Sequence, residues 1–257
     1  MTAPLLTLIL AFGATTGLWL FSLRLKDCSV IDIFWAPGFA LLAWVAALTS
    51  GVPIGPRGWL VLDLVTIWGL RLGLHILLRH KGEDHRYGEM RTKFGARWWW
   101  WSLFQVFWLQ ALLLWVISLP LQAAVTSAVP LGVLGYAGGA VAALGLVIEG
   151  LADYQLTRFR GDPANAGKVM DRGLWAWSRH PNYFGDALMW WGYFLIGFGA
   201  SHAWWLVLSP IAMTVLLLRV SGVSLLEETI VERRPAYADY IRRTSAFVPL
   251  PPKARAD

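Results

Sequence analysis

Apolar residues run in long unbroken blocks along this chain, and each block is close to the length at which a helix crosses hydrocarbon. Such a crossing takes about 20 residues, because a helix satisfies every backbone polar group within the segment. Seven blocks qualify: 4–23, 30–50, 58–78, 100–119, 129–152, 184–200 and 203–221. The last two are separated only by the polar break Ser201-His202. The pattern predicts an all-α, polytopic membrane helix bundle with seven transmembrane helices. It forms a single membrane domain over 1–257 with a C-terminal tail over 222–257. The first block has no basic leader and no evident cleavage site, so it is expected to stay in place as an anchor.

Composition agrees. The 257 residues are 57% hydrophobic and 15% charged and include 17 Trp, whereas a soluble domain has roughly half apolar and a quarter charged residues. A soluble Rossmann or TIM-barrel enzyme and a disordered chain are excluded, and the lone Cys28 excludes a disulfide scaffold. Charge then sets orientation, because cytoplasmic loops carry the excess of Lys and Arg. In a seven-span arrangement 20 of the 22 Lys and Arg fall on one side, Arg57 stands opposite and Arg71 lies within a span. This places the N-terminus outside and the C-terminus in the cytosol of a multi-pass membrane protein, which in a bacterium means the inner membrane. The net charge of +6 becomes a cytosolic surface facing membrane lipid, with no feature pointing to nucleic acid.

Trp98 to Trp101 read as an interfacial aromatic belt, and Gly135 with Gly139 as a GxxxG packing pair. No Walker A, HExxH or Cys-rich spacing is present, so no metal is expected.

Ionisable residues inside spans are costly and mark functional cavities. Asp32 lies near the cytosolic end of the second span, and Arg71, His75 and Arg79 form an i, i+4, i+8 stripe on the third. Glu149 and Asp153 close the fifth span, Asn182 and Asp186 open the sixth, and Glu227 and Glu228 follow the seventh. Pairing of each acid with a neighbouring Arg to assemble the bundle is the structural alternative. Two loops, 79–97 and 153–182, interleave Arg with acids. Guanidinium forks suit phosphate and acids suit ribose hydroxyls, while anionic lipid would use the same Arg residues. Pro181 fits the first turn of a helix whose N-terminus at Asn182 and Tyr183 could receive an anion or a carboxamide.

The segment Ser178-Arg179-His180-Pro181-Asn182-Tyr183-Phe184-Gly185-Asp186 resembles the steroid 5α-reductase family in its bacterial branch, that is, 3-oxo-5-alpha-steroid 4-dehydrogenase-like membrane reductases. Asp153-Tyr154-Gln155, Gly161-Asp162-Pro163, Ile31-Asp32-Ile33-Phe34-Trp35 and Glu83-Asp84-His85-Arg86-Tyr87-Gly88-Glu89-Met90-Arg91 extend the resemblance over most of 30–250. The shorter pattern Arg179-His180-Pro181-Asn182-Tyr183 with a later Glu227-Glu228 is also similar to isoprenylcysteine-type and phospholipid-type membrane methyltransferases, which use S-adenosylmethionine.

The reductase resemblance implies NADPH as hydride donor and a 3-oxo-Δ4 steroid or similar enone lipid as acceptor. It implies a cofactor set of Arg71, Arg86, Glu149, Asp153, Arg160, Arg172, Arg179, His180, Asn182, Tyr183, Asp186 and Glu227. Family members use a carboxyl on the second span and a tyrosine on the third. The tyrosine position reads Trp68 here, which leaves Tyr87 or His75 as donor beside Asp32. Trp35 and Phe39, at i+3 and i+7 from Asp32, and Trp68 would wall a flat substrate. A monomer is expected. A non-catalytic lipid-binding bundle is the alternative outside enzymology.

Overall fold

The computed structural model describes residues 2–220 and 236–253. Glu227 and Glu228 lie outside the described residues. Among those described, regular structure is helical apart from one isolated bridge, Ser178 to Ser245. The helices are α1 (Ala3–Leu25), α2 (Val30–Thr49), α3 (Pro56–Arg79), α4 (His85–Phe94), α5 (Trp98–Ser102), α6 (Leu109–Val125), α7 (Val133–Gly161), α8 (Pro181–Ser201), α9 (Leu208–Val215) and α10 (Ala236–Arg243). A π-helical stretch, Leu103–Trp108, joins α5 to α6, and another, Leu216–Val220, follows α9. Among the described residues five helices are long and apolar enough to cross a membrane: α1, α2, α3, the continuous run His85–Val125, and α7; α8, over the block expected at 184–200, is not one of them. The block expected over 203–221 opens as a 3-10 turn, Trp204–Val207, directly after His202 at φ 55. Its apolar helix, Trp204–Arg219, is one of the shorter ones.

The chain divides into two compact units. The first comprises Met1–Tyr136 with Leu195–Ser209, and the second Ala137–Phe194 with Pro210–Asp257.

In the first unit α2 packs against α1, α3 and α6. Pro37 has no N–H to give the carbonyl of Ile33 one turn earlier, so α2, continuous over Val30–Thr49, lacks one helical hydrogen bond there. The α3 glycines pack against this stretch of α2. A Cβ on Gly69 would stand 2.8 Å from the Ala36 carbonyl oxygen, and one on Gly73 2.7 Å from the Pro37 ring. Phe39 and Trp68 are fully buried with ring centroids 5.8 Å apart, and Trp35 meets Phe39 edge-on at 5.2 Å. The rings read as a substrate wall are thus also the packing between α2 and α3.

The polar face of α1 is buried too. Thr7 Oγ1 donates to Gln122 Oε1 (2.9 Å), and Thr16 Oγ1 accepts from Trp108 Nε1 (3.0 Å), the interhelical hydrogen bonding that stands in for a hydrophobic drive within lipid. The tryptophan run splits its duty. Trp99 is exposed, whereas Trp98 is buried with Cys28, Ile31, Tyr87 and Phe107.

Arg57 is not a solvated loop cation. It is 2% exposed and donates to the carbonyls of Val129 (3.3 Å), Pro130 (2.6 Å) and Ile196 (2.6 Å).

In the second unit α7 and α8 approach backbone to backbone. A Cβ on Gly145 would stand 2.5 Å from the Gly185 carbonyl oxygen, one on Gly185 2.5 Å from Glu149 N, and one on Gly192 2.6 Å from the Gly138 oxygen. Close contact of α7 with α8 thus falls on Gly138 and Gly145, and Gly135 and Gly139 are buried as well. Ala152, Phe159, Met170 and Trp175 form a small core beside it, where the Trp175 indole donates to the Ala152 carbonyl (3.1 Å).

Candidate functional site

The segment after α3 is stitched to the segment before α2. His80 Nε2 pairs with Asp27 Oδ2 (2.8 Å), Cys28 N–H donates to Glu83 Oε1 (3.0 Å), and Asp84 N–H donates to Ser29 Oγ (2.7 Å). Gly82 takes φ +104 to make the turn, a backbone conformation open to glycine. Asp84 then caps α4 by accepting from the Arg86 N–H (3.0 Å). Arg91 closes on Glu83 through Nε (2.9 Å) and Nη2 (2.7 Å). Burial opposes ionisation of both carboxyls, but the Arg91 side chain and the Cys28 amide hold Glu83 below the usual range. The Arg86 side chain and amide do the same for Asp84. Cys28, buried beside the Glu83 carboxylate, has its thiol pushed up to about 11.

This stitching delivers the first turn of α4 to the first turn of α2. The Tyr87 hydroxyl donates to Asp32 Oδ1 (2.7 Å) and Arg86 Nη2 donates to Asp32 Oδ2 (3.0 Å). Gln110 Nε2, two residues past the π-helical stretch, donates to the Tyr87 oxygen (3.3 Å). Tyr87 is 5% exposed. The carboxylate is thus answered on both oxygens, and the phenol oxygen both gives and receives a hydrogen bond. A cavity of about 240 Å³ opens over Asp32, lined also by Ser29, Ile76, Arg79, His80, Lys81 and Asp84. His75 faces Arg79 (Nε2 to Nη1, 3.1 Å), so it meets the cavity through a residue that lines it. Arg71 lies one turn before His75 on the same helix.

The second unit holds the other polar cluster. The glycine contact of α7 with α8 sets Glu149 and Asp153 beside Asn182 and Asp186. Asn182 Nδ2 donates to Asp153 Oδ1 (3.1 Å), and Glu149, Asp153 and Asp186 are all buried. Below them on α8 lies Tyr193, fully buried, with its hydroxyl close enough to Glu149 and Asp186 to feel their charge. That hydroxyl has no hydrogen-bond partner among the described residues.

His180 and Tyr183 stack (centroids 5.6 Å apart, interplanar angle 7°). Arg179 is buried, and its Nη1 donates to the carbonyls of Thr244 (2.7 Å) and Ile241 (3.1 Å) at the end of α10. Ser178 Oγ donates to the Phe247 carbonyl (2.7 Å) and Tyr240 reaches back to the carbonyls of Trp175 and Ser178. The C-terminal segment therefore grips the turn that starts α8. Arg160 and Arg172 are exposed, Arg172 lying over the Phe159 ring at 5.3 Å.

Of the residues singled out from sequence, Asp32, Tyr87 and Arg86 meet directly in the first unit, while Glu149, Asp153, Asn182 and Asp186 meet in the second. Gln110, Asp84 and Tyr193 were not singled out. Gln110 carried a signal, since an amide inside an apolar block needs a partner. Tyr193 carried none, because an aromatic in a span is ordinary.

No solved structure matches the chain. An uncharacterized protein of Schizosaccharomyces pombe is 25% identical over 275 aligned positions, covering 94% of this chain and 78% of that protein. The family model described as "Protein of unknown function (DUF1295)" matches residues 18–244, and the chain belongs to that family.

Proposed function

We propose that this protein is an NADPH-dependent membrane reductase of the steroid 5α-reductase type, which saturates the C=C bond of a 3-oxo-Δ4 steroid or similar enone lipid. The supporting observation is the buried contact of the Tyr87 hydroxyl with the Asp32 carboxylate, 2.7 Å apart, beneath a cavity. The resemblance calls for a carboxyl and a tyrosine at the substrate carbonyl. Trp68 occupies the expected tyrosine position, and Tyr87 supplies the phenol from α4 instead.

Addition of hydride to the β-carbon of an enone leaves charge on the carbonyl oxygen, and a donor aimed there lowers the barrier. Tyr87 is that donor once its single O–H swings from Asp32 Oδ1, to which it donates in the structure, to the substrate oxygen. Gln110 donates to the phenol oxygen, Asp32 orients the hydroxyl and Arg86 holds Asp32 in place. His75 reaches the cavity through Arg79.

The polar cluster of the second unit fits a nicotinamide nucleotide. A fully buried hydroxyl without a partner is costly unless a ligand satisfies it, and Tyr193 presents one beside Glu149 and Asp186. Asn182 and Asp153 would hold the carboxamide and a ribose, with Tyr183 and His180 as a stacking face. The exposed Arg160 and Arg172 would meet phosphate, and Arg179 would hold the turn through α10. When bound, NADPH supplies the hydride. The arrangement in the membrane is seven spans, N-terminus outside, with the loops that bear the cations in the cytosol.

Thermal stability of the purified protein tests this reading. NADPH is expected to stabilise it more than NADH, and NADPH is expected to be consumed when an enone is added. Stabilisation by S-adenosylmethionine instead would favour the methyltransferase, and no response to either cofactor would favour the lipid-binding bundle.

A further inference from the structure

The cavity over Asp32 is unlike a steroid slot. Ile76 is the one apolar side chain among its described lining residues; beside Gly82, the others are Ser29, Asp32, Asp84, Arg79, His80 and Lys81. A neutral ring system placed there would strip water from charged groups and return no hydrogen bond to them, which is unfavourable.

Charge accounting points to the ligand. Arg86 reaches both acids of the lining, Asp32 (3.0 Å) and Asp84 (2.9 Å), and its single charge offsets one of the two. His80 is turned to Asp27. Arg79 and Lys81 remain at the rim, both exposed, and neither has a carboxylate within ion-pair distance among the described residues. Arg79 contacts only the His75 ring, which leaves the rest of its fork to the cavity. With Arg86 counted, three cations face the two carboxylates, and the surplus positive charge sits at the rim on Arg79 and Lys81, where it suits an anionic oxyacid group.

We infer that the substrate of this cavity is an acidic enone lipid, whose carboxylate or phosphate is held by Arg79 and Lys81 while its carbonyl meets the hydrogen-bonded Asp32–Tyr87 pair, of which Asp32 lines the cavity. This rests on the reductase reading and narrows it, from a neutral steroid to an amphiphile with its anion a few bonds from the reacting carbonyl.

Full-length protein in nanodiscs of zwitterionic lipid tests it with (E)-4-oxo-2-hexadecenoic acid, the methyl ester of that acid, and inorganic phosphate. Binding is followed by thermal shift without cofactor, and turnover by NADPH consumption. The acid is expected to bind at least about tenfold more tightly than the ester, the scale of a charge-assisted hydrogen bond. Arg79→Gln with Lys81→Gln is expected to erase that preference without changing binding of the ester, and Lys81→Arg to keep it.

Equal binding of acid and ester, or a preference that survives the double substitution, would overturn the assignment. Protection by inorganic phosphate at the same concentration as the acid would overturn it as well, because the rim would then be a free-anion site. So would loss of NADPH binding in the double variant with acid binding intact, since the cations would then belong to the cofactor. Selective binding of the acid without any NADPH-dependent reduction would leave the anion site standing and sink the reductase reading.

Discussion

Tyr87 and Asp32, 55 residues apart in sequence, share a 2.7 Å hydrogen bond because three contacts fold the 80–84 turn back onto residues 27–29. Removing either partner separates proton delivery from assembly. Tyr87→Phe should leave NADPH stabilisation intact and lower turnover by roughly 10²–10⁴, the range for a general acid. Asp32→Asn keeps the size of the side chain but weakens its hold on Arg86 and on the phenol. It should therefore lower turnover and also lower the melting temperature, measured side by side with Tyr87→Phe.

The glycines between α7 and α8 are expected to be intolerant. Gly185→Ala drives a methyl to 2.5 Å from Glu149 N and 2.7 Å from the Gly145 carbonyl oxygen, both backbone atoms. Overpacking of this kind costs about 1–3 kcal/mol, and here it also parts Glu149 from Asp186. Thermal melts should show lower stability together with a smaller NADPH shift. Gly17→Ala, with nothing within 4 Å of the added Cβ, is the control and should melt like the parent.

Arg57 is a structural pin. Arg57→Met retains the apolar stem but removes donors from the Val129, Pro130 and Ile196 carbonyls. The first two belong to an exposed turn that water can serve, so the loss should be on the order of 1–3 kcal/mol rather than a sum over three bonds. Denaturation in mild detergent should register it while turnover of the folded fraction stays unchanged.

Much of this was legible in the sequence. Apolar blocks marked α1, α2, α3 and α8 to within about three residues, because lipid crossing imposes length, whereas α6 starts nine residues later than its block and α7 runs nine residues past its own, where polar residues continue the helix. The pairs Glu149 with Asp153 and Asn182 with Asp186 were visible as helical spacings. What hid was long-range. Trp68 stood where a tyrosine was expected, and nothing local says that Tyr87, on a short helix past the third span, returns to Asp32. Arg57 counted as a loop charge because positional counting of cations is blind to burial. Gly145 and Gly185 were obscured by the more regular Gly135 and Gly139, whose spacing does not reveal which face of α7 meets α8.

Alkaline pH offers a further check through Cys28, whose thiol is raised from 9.0 to about 11 by burial first and the Glu83 carboxylate second. A raised value in the folded state means stability fully present below the ordinary thiol range and lost as pH climbs toward the folded value, because the unfolded chain releases its proton first. The loss is about 1.4 kcal/mol per pH unit within that window. Melting temperatures from pH 8 upward should fall more steeply for the parent than for Cys28→Ala. Alkylation of this single cysteine should stay slow at neutral pH until the protein is unfolded.

Isotope transfer addresses the central claim. Purified protein is incubated with an enone lipid and NADPH carrying deuterium at the transferable position of the nicotinamide, and the product is examined by mass spectrometry. The expected result is a saturated ketone with one deuterium at the former β-carbon, at a yield that collapses in Tyr87→Phe. A product without deuterium, a yield indifferent to Tyr87, or no reduced product from neutral and acidic enones alike would contradict it.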